Sequence, residues 1–419
     1  MSKMRLQAML GLVVLCCLAS CGAWAAKTPI TVWFSSQPPA IASWADRFQE
    51  AFNSTSTDIE LTVHAFEWAQ REQLIVNVAA GTAPDLYYDS SNVLGMWVAN
   101  GIATPLDGYL ARWPDRNDLI PATLADLRYF GKTYAVPFSV HPYWDMYNMD
   151  LVEAAGTGLP NTWDSMVAFA KKLTRLGPAG QPEVFGYSAY SLAGVVTFID
   201  FERCLEQLGT RSIEVDTGAI DVNSEAGRRA LNYMAEVTLA GMPTLQRGSF
   251  NRGNVAVMHW ASPRELGDAI TAFGGVENSN IALRRYVGPE IGRDVTHYWA
   301  GVLFMVSSTK HPEEAWKVLE SWMQPKYLLD YLVAWGTNLP ARKSMMSYPE
   351  LRTGPYSDQI IKVMDGPIIP YGSRHLLYTE FRGPVGDILT EAIQRRLPVP
   401  SALEQAEKTL TQIVNEAQN

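Results

Sequence analysis

The chain has 419 residues, 47% of them hydrophobic and 18% charged, with 31 Gly and 25 Pro. That is globular composition and excludes disordered, collagen-like and coiled-coil chains; the length calls for two domains or lobes rather than one small core. With 34 basic and 43 acidic residues the formal charge is −9. An acidic chain without a basic run does not suit a phosphate backbone, so no nucleic-acid partner is expected.

The first residues read as an address. Lys3 and Arg5 form a positive n-region, and Leu6 to Leu18 is apolar apart from Gln7. The run is shorter than the ~20 residues needed to span a bilayer and suits the core of a signal peptide over residues 1–25. Two cleavage readings stay open. Leu18-Ala19-Ser20-Cys21 resembles a bacterial lipobox, which would make Cys21 the lipidated N-terminus and tether the chain at a membrane surface. Ala23-Trp24-Ala25 resembles an ordinary A-x-A site. The lipobox is preferred. Cys16, Cys17 and Cys21 fall in or beside the leader, so Cys204 has no intramolecular disulfide partner and reads as a small buried hydrophobe.

From Pro29 to Phe34, Ile30, Val32 and Phe34 alternate with Thr31 and Trp33, the period of a strand. Ile41, Trp44, Ala45, Phe48, Ala51 and Phe52 then make a helical stripe. Ile59, Leu61, Val63 and Ala65 alternate again. Gln70 to Ala80 is helical in pattern and stops at Gly81. Asp85 to Tyr88 is a short strand, followed by a helix near Asn92 to Asn100 and a stop at Gly101. This rhythm predicts an α/β fold with largely parallel pairing. Thr162 caps a predicted helix over Trp163 to Leu176, and Ser224 caps another ending at Gly241. Gly301 to Val306 is continuously apolar, as in a strand buried on both faces. Pro312 opens a helix through Trp322. Tyr348 to Asp358 and Asp365 to Arg374 read as loops, and two amphipathic helices follow Pro384.

A set of short blocks, in order and at consistent spacing, carries a resemblance. They are Ala79-Ala80-Gly81 with Pro84-Asp85-Leu86; Gly131 to Pro137 (GKTYAVP) with Tyr147-Asn148-Met149-Asp150-Leu151; Pro160-Asn161-Thr162-Trp163-Asp164; Gly253 to Met258; and Ser307 to Trp316 with Leu339-Pro340-Ala341-Arg342. On these blocks the chain resembles the extracellular solute-binding proteins of ABC importers, in the sugar-binding group that includes maltose-binding protein. Val257 departs from the family pattern, where Ala and Met are usually adjacent. The resemblance implies a two-lobed, periplasmic-binding-protein type II-like α/β fold with a ligand cleft between the lobes. By analogy, lobe one takes residues 27–139 and 301–340, and lobe two takes 140–300 and 341–419. It also implies carbohydrate capture, delivery to the transmembrane subunits of an ABC permease, a monomer, and no cofactor.

A sugar offers apolar C–H faces to aromatic rings and hydroxyls that need directed partners. Candidate ligand residues are therefore aromatic and polar side chains at predicted strand ends and loops: Trp33, Ser35, Trp68, Asp89, Ser90, His141, Tyr143, Trp260, Trp299, Trp335 and Arg382. Trp44, Trp163, Trp316 and Trp322 lie on helical stripes and read as core, and Trp97 and Trp113 as packing residues. Asp89 and Ser90 also fit a turn or helix cap. The six His lack metal-ligand spacing, so no metal site is expected. No G-x-S-x-G, Walker or H-E-x-x-H motif is present, and an enzyme is not expected. A polyol or glycerol phosphoester ligand, held by Arg374 or Arg382, is the alternative in the same class. A polysaccharide-active exported enzyme, which would need a carboxylate pair, and a sensor lipoprotein are the others.

Overall fold

The computed structural model describes residues 26–35, 39–67, 70–189, 192, 194–215, 217–241, 249–335, 338–372 and 374–417. The signal-peptide reading of residues 1–25, Cys21 included, and Trp68 lie outside the described residues.

Nine strands form one curled sheet: β1 (Thr28–Ser35), β2 (Ile59–Phe66), β3 (Leu86–Ser90), β4 (Val136–Asn148), β5 (Val257–Ala261), β6 (Ile281–Arg284), β7 (Thr296–Met305), β8 (Leu339–Pro340) and β9 (Ile368–Pro370). The main order is β6-β4-β7-β3-β1-β2. β1 pairs in parallel with β2 and β3, and β7 runs antiparallel between β3 and β4. Ile30, Val32 and Phe34 point into the core, so the predicted alternation is observed.

The helix α1 (Pro39–Thr55) buries Ile41, Trp44, Ala45, Phe48 and Phe52, the i, i+3/i+4 stripe of an amphipathic helix. The helix α2 (Gln73–Ala80) starts three residues later than its pattern suggests and ends at Gly81, whose φ of 72° is the left-handed conformation of a glycine stop. The stretch near Asn92 divides into a 3-10 turn, Ser91–Val93, and the helix α3 (Leu94–Ala99). Thr162 and Ser224 cap α4 (Trp163–Leu173) and, past α5 (Gly194–Leu208), α6 (Glu225–Ala240), as predicted; α4 ends earlier than Leu176 because residues 175–176 pair in a small ribbon.

The structure corrects five further expectations. Strand pairing is largely antiparallel rather than parallel: β4 pairs antiparallel with β5, β6, β7 and β8, and β7 with β3, which leaves β1–β2, β1–β3 and β7–β9 as the parallel pairs among the described strands of the sheet. Residues 365–374 are not all loop, because Ile368–Pro370 joins β7 as a parallel edge strand. Residues 348–358 hold a 3-10 turn, Pro349–Arg352, and the start of the helix α10 (Ser357–Met364), after α7 (Pro263–Ala272), α8 (Pro312–Trp322) and α9 (Pro325–Trp335). The first tail helix, α11 (Tyr378–Ile393), begins before Pro384 and contains it, since Tyr378 and Phe381 are buried and draw the first turns inward; α12 (Val399–Glu416) follows. Trp299 lies inside β7, and Trp260 inside β5, rather than in loops beside them.

Two hydrophobic cores result. The first gathers β1, β3 and β7 with α1, α8 and α9. Within it the Trp322 ring lies 4.7 Å from Phe34, 4.7 Å from Trp44 and 4.9 Å from Phe48. Ala341, Met345, Ile360 and Val363 pack here too. The second is helical, built by α4, α5, α6, α11 and α12, and includes Cys204. The long strand β4 serves both: Val136, Phe138 and Val140 enter the first core and Tyr147 the second. Among the described residues no helix is long and apolar enough to cross a membrane.

Candidate functional site

The parallel strands β1 and β3 end at Ser35 and Ser90, and ligands in open α/β sheets bind beyond such carboxyl ends. Ser90 faces Gly301 on the antiparallel β7, so the earlier residues of β7, His297 and Trp299 among them, extend past the end of β3. β4 pairs with that extension: Tyr143 opposes His297, and His141 opposes Trp299. The alternation of a strand puts His141, Tyr143, His297 and Trp299 on one face.

On that face the rings touch in sequence. His141 stacks on Trp299 with centroids 3.6 Å apart and planes 6° from parallel. Trp335, at the end of α9, meets His141 edge-on at 5.3 Å. The Trp299 indole N–H donates to the Tyr143 hydroxyl at 3.2 Å. Tyr143 stacks on Trp260 at 5.5 Å and on Tyr371 at 5.6 Å, and Trp260 and Tyr371 are 5.2 Å apart. His297 meets the edges of Trp260 and Tyr371. Tyr143, Trp299 and Trp335 are half-buried; His141 and Trp260 are buried.

The polar edges of this run are directed. Nε2 of His141 lies 3.2 Å from the Ser139 hydroxyl and 3.3 Å from the Asn338 amide nitrogen. Burial pushes His141 down to about 3, so its ring is neutral near neutral pH. Gly301 is required beside it: a Cβ there would stand 2.5 Å from the Ser139 hydroxyl oxygen and 3.2 Å from Phe138.

Five of the eleven sequence-derived candidates, His141, Tyr143, Trp260, Trp299 and Trp335, are thus brought into one cluster. Trp33, Ser35, Asp89 and Ser90 lie at the ends of β1 and β3. Trp33 is half-buried against Tyr87 at 6.3 Å. Asp89 is fully buried and its oxygens accept from Arg71 at 2.8 Å, from the Trp97 indole at 2.8 Å and from the Ser90 backbone at 2.7 Å. Burial pushes this carboxyl up, and Arg71 pulls against that. The Arg382 guanidinium lies over the Tyr378 ring, 5.0 Å from its centroid. Four contributors, Ser139 on β4 included, were not singled out from sequence. Tyr371 follows a strand hidden in an apparent loop, Asn338 precedes a two-residue strand, and Arg71 belongs to a turn before α2; the Ile368-Ile369-Pro370 triplet was the available signal for the first. Among the described residues no group of three His, Cys, Asp or Glu side chains is arranged to hold a metal ion.

The sequence profile described as "Bacterial extracellular solute-binding protein" matches residues 35–327. The chain belongs to this family. Among relatives of this solute-binding protein, a Brucella abortus (strain 2308) chain named only as a binding protein is 24% identical over 319 residues, 74% of each chain. In three dimensions it is similar to the sugar-binding protein MalE of Xanthomonas citri, with a TM-score of 0.81, 16% identity, and coverage of 93% of this chain and 98% of that one. It is also similar to the cyclic alpha-maltosyl-1,6-maltose binding protein of Arthrobacter globiformis, with a TM-score of 0.78, 20% identity, and coverage of 93% and 100%. The fold is the two-lobed one of these binding proteins.

Proposed function

We propose that this solute-binding protein captures a carbohydrate, a mono- or oligosaccharide, between its lobes and delivers it to the transmembrane subunits of an ABC permease. The observation that carries this reading is the run of rings Trp335, His141, Trp299, Tyr143, Trp260 and Tyr371 beyond the carboxyl ends of β1 and β3. Stacked rings suit the apolar faces of sugar rings. The neutral His141 and its polar neighbours suit neutral hydroxyls rather than an anion. The names of the similar structures, which refer to a sugar and to a cyclic maltosyl-maltose, point the same way.

In this reading the lobes are residues 27–139 with 301–340 and residues 140–300 with 341–419, and Ala341, Met345, Ile360 and Val363 of the second pack into the first core. Trp33, Ser35 and Ser90 line the lobe-one side. Asp89 acts by holding Arg71. The protein works as an exported monomer, tethered through Cys21 if the lipobox is used, and carries out no covalent chemistry. The anionic alternative gains nothing from its two arginines. Arg374 donates to the Ala125 carbonyl and Arg382 covers Tyr378.

The test is calorimetric titration of the mature protein with maltose, maltotriose, maltotetraose and mannobiose, against sorbitol and glycerol 3-phosphate. Saturable binding of one sugar, recovered chemically unchanged, is the expected result. Binding of the phosphoester alone, or cleavage of the sugar, overturns it.

A further inference from the structure

Behind the rings lies a buried charge network that sugar capture does not itself require. Tyr143 on β4 is followed two residues later by Asp145, and Trp260 on β5 is preceded by His259. The pairing runs from Trp144 opposite Ala261 to Met146 opposite Met258. His259 and Trp260 therefore both face the single residue Asp145, a two-on-one bulge that re-aims a side chain. Trp260 takes φ of 65°, a left-handed backbone that a bulky residue keeps only where its surroundings over-determine it.

The surroundings are specific. Nδ1 of His259 is 2.6 Å from an Asp145 carboxylate oxygen, and Nε2 is 3.0 Å from Asp200 on α5. Arg203 donates to the same Asp200 oxygen at 2.6 Å and to Gln207 at 2.6 Å. Gln207 in turn donates to the carbonyls of Tyr286, Val287 and Arg293. The bulge is thus tied through α5 to the loop beyond it. The rings of Tyr187 and Tyr286 close around His259 at 5.5 and 4.7 Å.

We propose that His259 is a positioning residue for ligand capture: clamped between Asp145 and Asp200, it holds the bulge that turns the Trp260 ring onto Tyr143 and Tyr371. This rests on the carbohydrate reading of the cleft. Without the clamp the bulge has no reason to persist, and a one-residue slip sends a strand side chain to the opposite face.

His259 is charged when it does this. Burial opposes the imidazolium, but Asp200 and Asp145 outweigh burial and raise it to about 9. The other titratable or charged groups facing the network are Arg203, Cys204, Tyr147, Tyr187, Tyr233, Tyr286, His297 and Arg284, the last paired opposite Asp145 across β6 and β4.

The test isolates the Trp260 band in near-ultraviolet circular dichroism as wild type minus Trp260→Phe, in the ligand-free protein. The same difference is then taken in a His259→Gln background. The band is expected to lose most of its intensity there, and maltotetraose affinity to fall about tenfold. Asp200→Asn, which keeps an acceptor for His259, is expected to retain an intermediate band. An unchanged Trp260 band in His259→Gln overturns the proposal. If that variant does not fold, the wild type minus Trp260→Phe difference taken across pH decides: the Trp260 band should fade with a midpoint near pH ~9 as the network discharges, and a band flat across that range overturns the proposal. If no sugar binds while the band still fades, the positioning of Trp260 is supported and only the carbohydrate reading falls.

Discussion

His141 lies flat on Trp299, with centroids 3.6 Å apart and planes 6° from parallel. The two are directly opposed partners on antiparallel strands, so the sheet register itself makes the stack. One face of Trp299 is thereby taken by His141, and in the proposed site a ligand would meet what remains of the half-buried indole. The Tyr143 hydroxyl fixes its tilt.

Trp299→Ala should therefore weaken binding of the best sugar in the calorimetric panel by about tenfold or more, with Trp299→Phe losing less, because an aromatic pair contributes about 0.5–1.5 kcal/mol beyond its buried area. His141 stays neutral because burial pushes it down to about 3. It should add no slope to the affinity between pH ~5 and ~8. Equal affinity in Trp299→Ala and wild type would remove this ring from the site.

The first core has a different centre. Trp322 is fully buried and within 5.9 Å of Phe34, Trp44, Phe48 and Phe138. Trp322→Ala should cost about 3–5 kcal/mol in denaturant unfolding, through lost transfer energy and a cavity that four rings close only partly. A cost below ~1 kcal/mol would mean that the core repacks freely.

These two tryptophans mark what the sequence made legible. Trp322 and Trp44 lie on stripes of period 3.6, which report burial directly, and Gly81 sits where a helix must stop. His141, Trp299 and Trp335 could be named as candidates, but not their mutual contact, which needs β4 and β7 in one register. Tyr371 was hidden because the strand before it is only three residues long and pairs at a sheet edge. The clamp on His259 was out of reach for a plainer reason: Asp145 is 114 residues away and Asp200 is 59, and no local pattern links them. The left-handed backbone at Trp260 follows from a one-residue register shift that alternation alone does not reveal.

Asp126 gives a pH dependence of definite sign. Burial raises its carboxyl to about 7, although Arg374 and Arg211 oppose the shift, and the Tyr298 hydroxyl donates to it. Between the unfolded value of about 3.9 and the folded one the native state binds a proton that the unfolded chain has released. Stability from this group is thus present below pH ~4 and is lost as pH rises to about 7, at up to about 1.4 kcal/mol per pH unit. Asp126→Asn keeps an acceptor for Tyr298 and removes the titration. The stability of Asp126→Asn relative to wild type should climb from pH ~4 to ~7 and then level off. A difference that stays constant across this range would place the proton elsewhere.

Gly301 tests whether the close approach of β7 to β4 sets the ligand face. A Cβ at this position meets the Ser139 hydroxyl oxygen at 2.5 Å, with Phe138 at 3.2 Å and Tyr88 at 3.3 Å behind it. Both strands are central in the sheet and cannot move apart cheaply, so Gly301→Ala should destabilise the protein by about 1–3 kcal/mol, the range for overpacking. It should also weaken sugar binding, since Ser139 bonds His141 and Trp299 lies two residues from Gly301. The nearest obstacle is one hydroxyl. Removing it with Ser139→Ala leaves contacts of 3.2 Å and longer, which small side-chain shifts can absorb. The double variant should therefore unfold closer to Ser139→Ala than additivity allows, with a coupling of about 0.5 kcal/mol or more. Strict additivity would mean that the Phe138 and Tyr88 rings, not the hydroxyl, resist the methyl group, and that ring packing rather than Ser139 positions the His141–Trp299 stack.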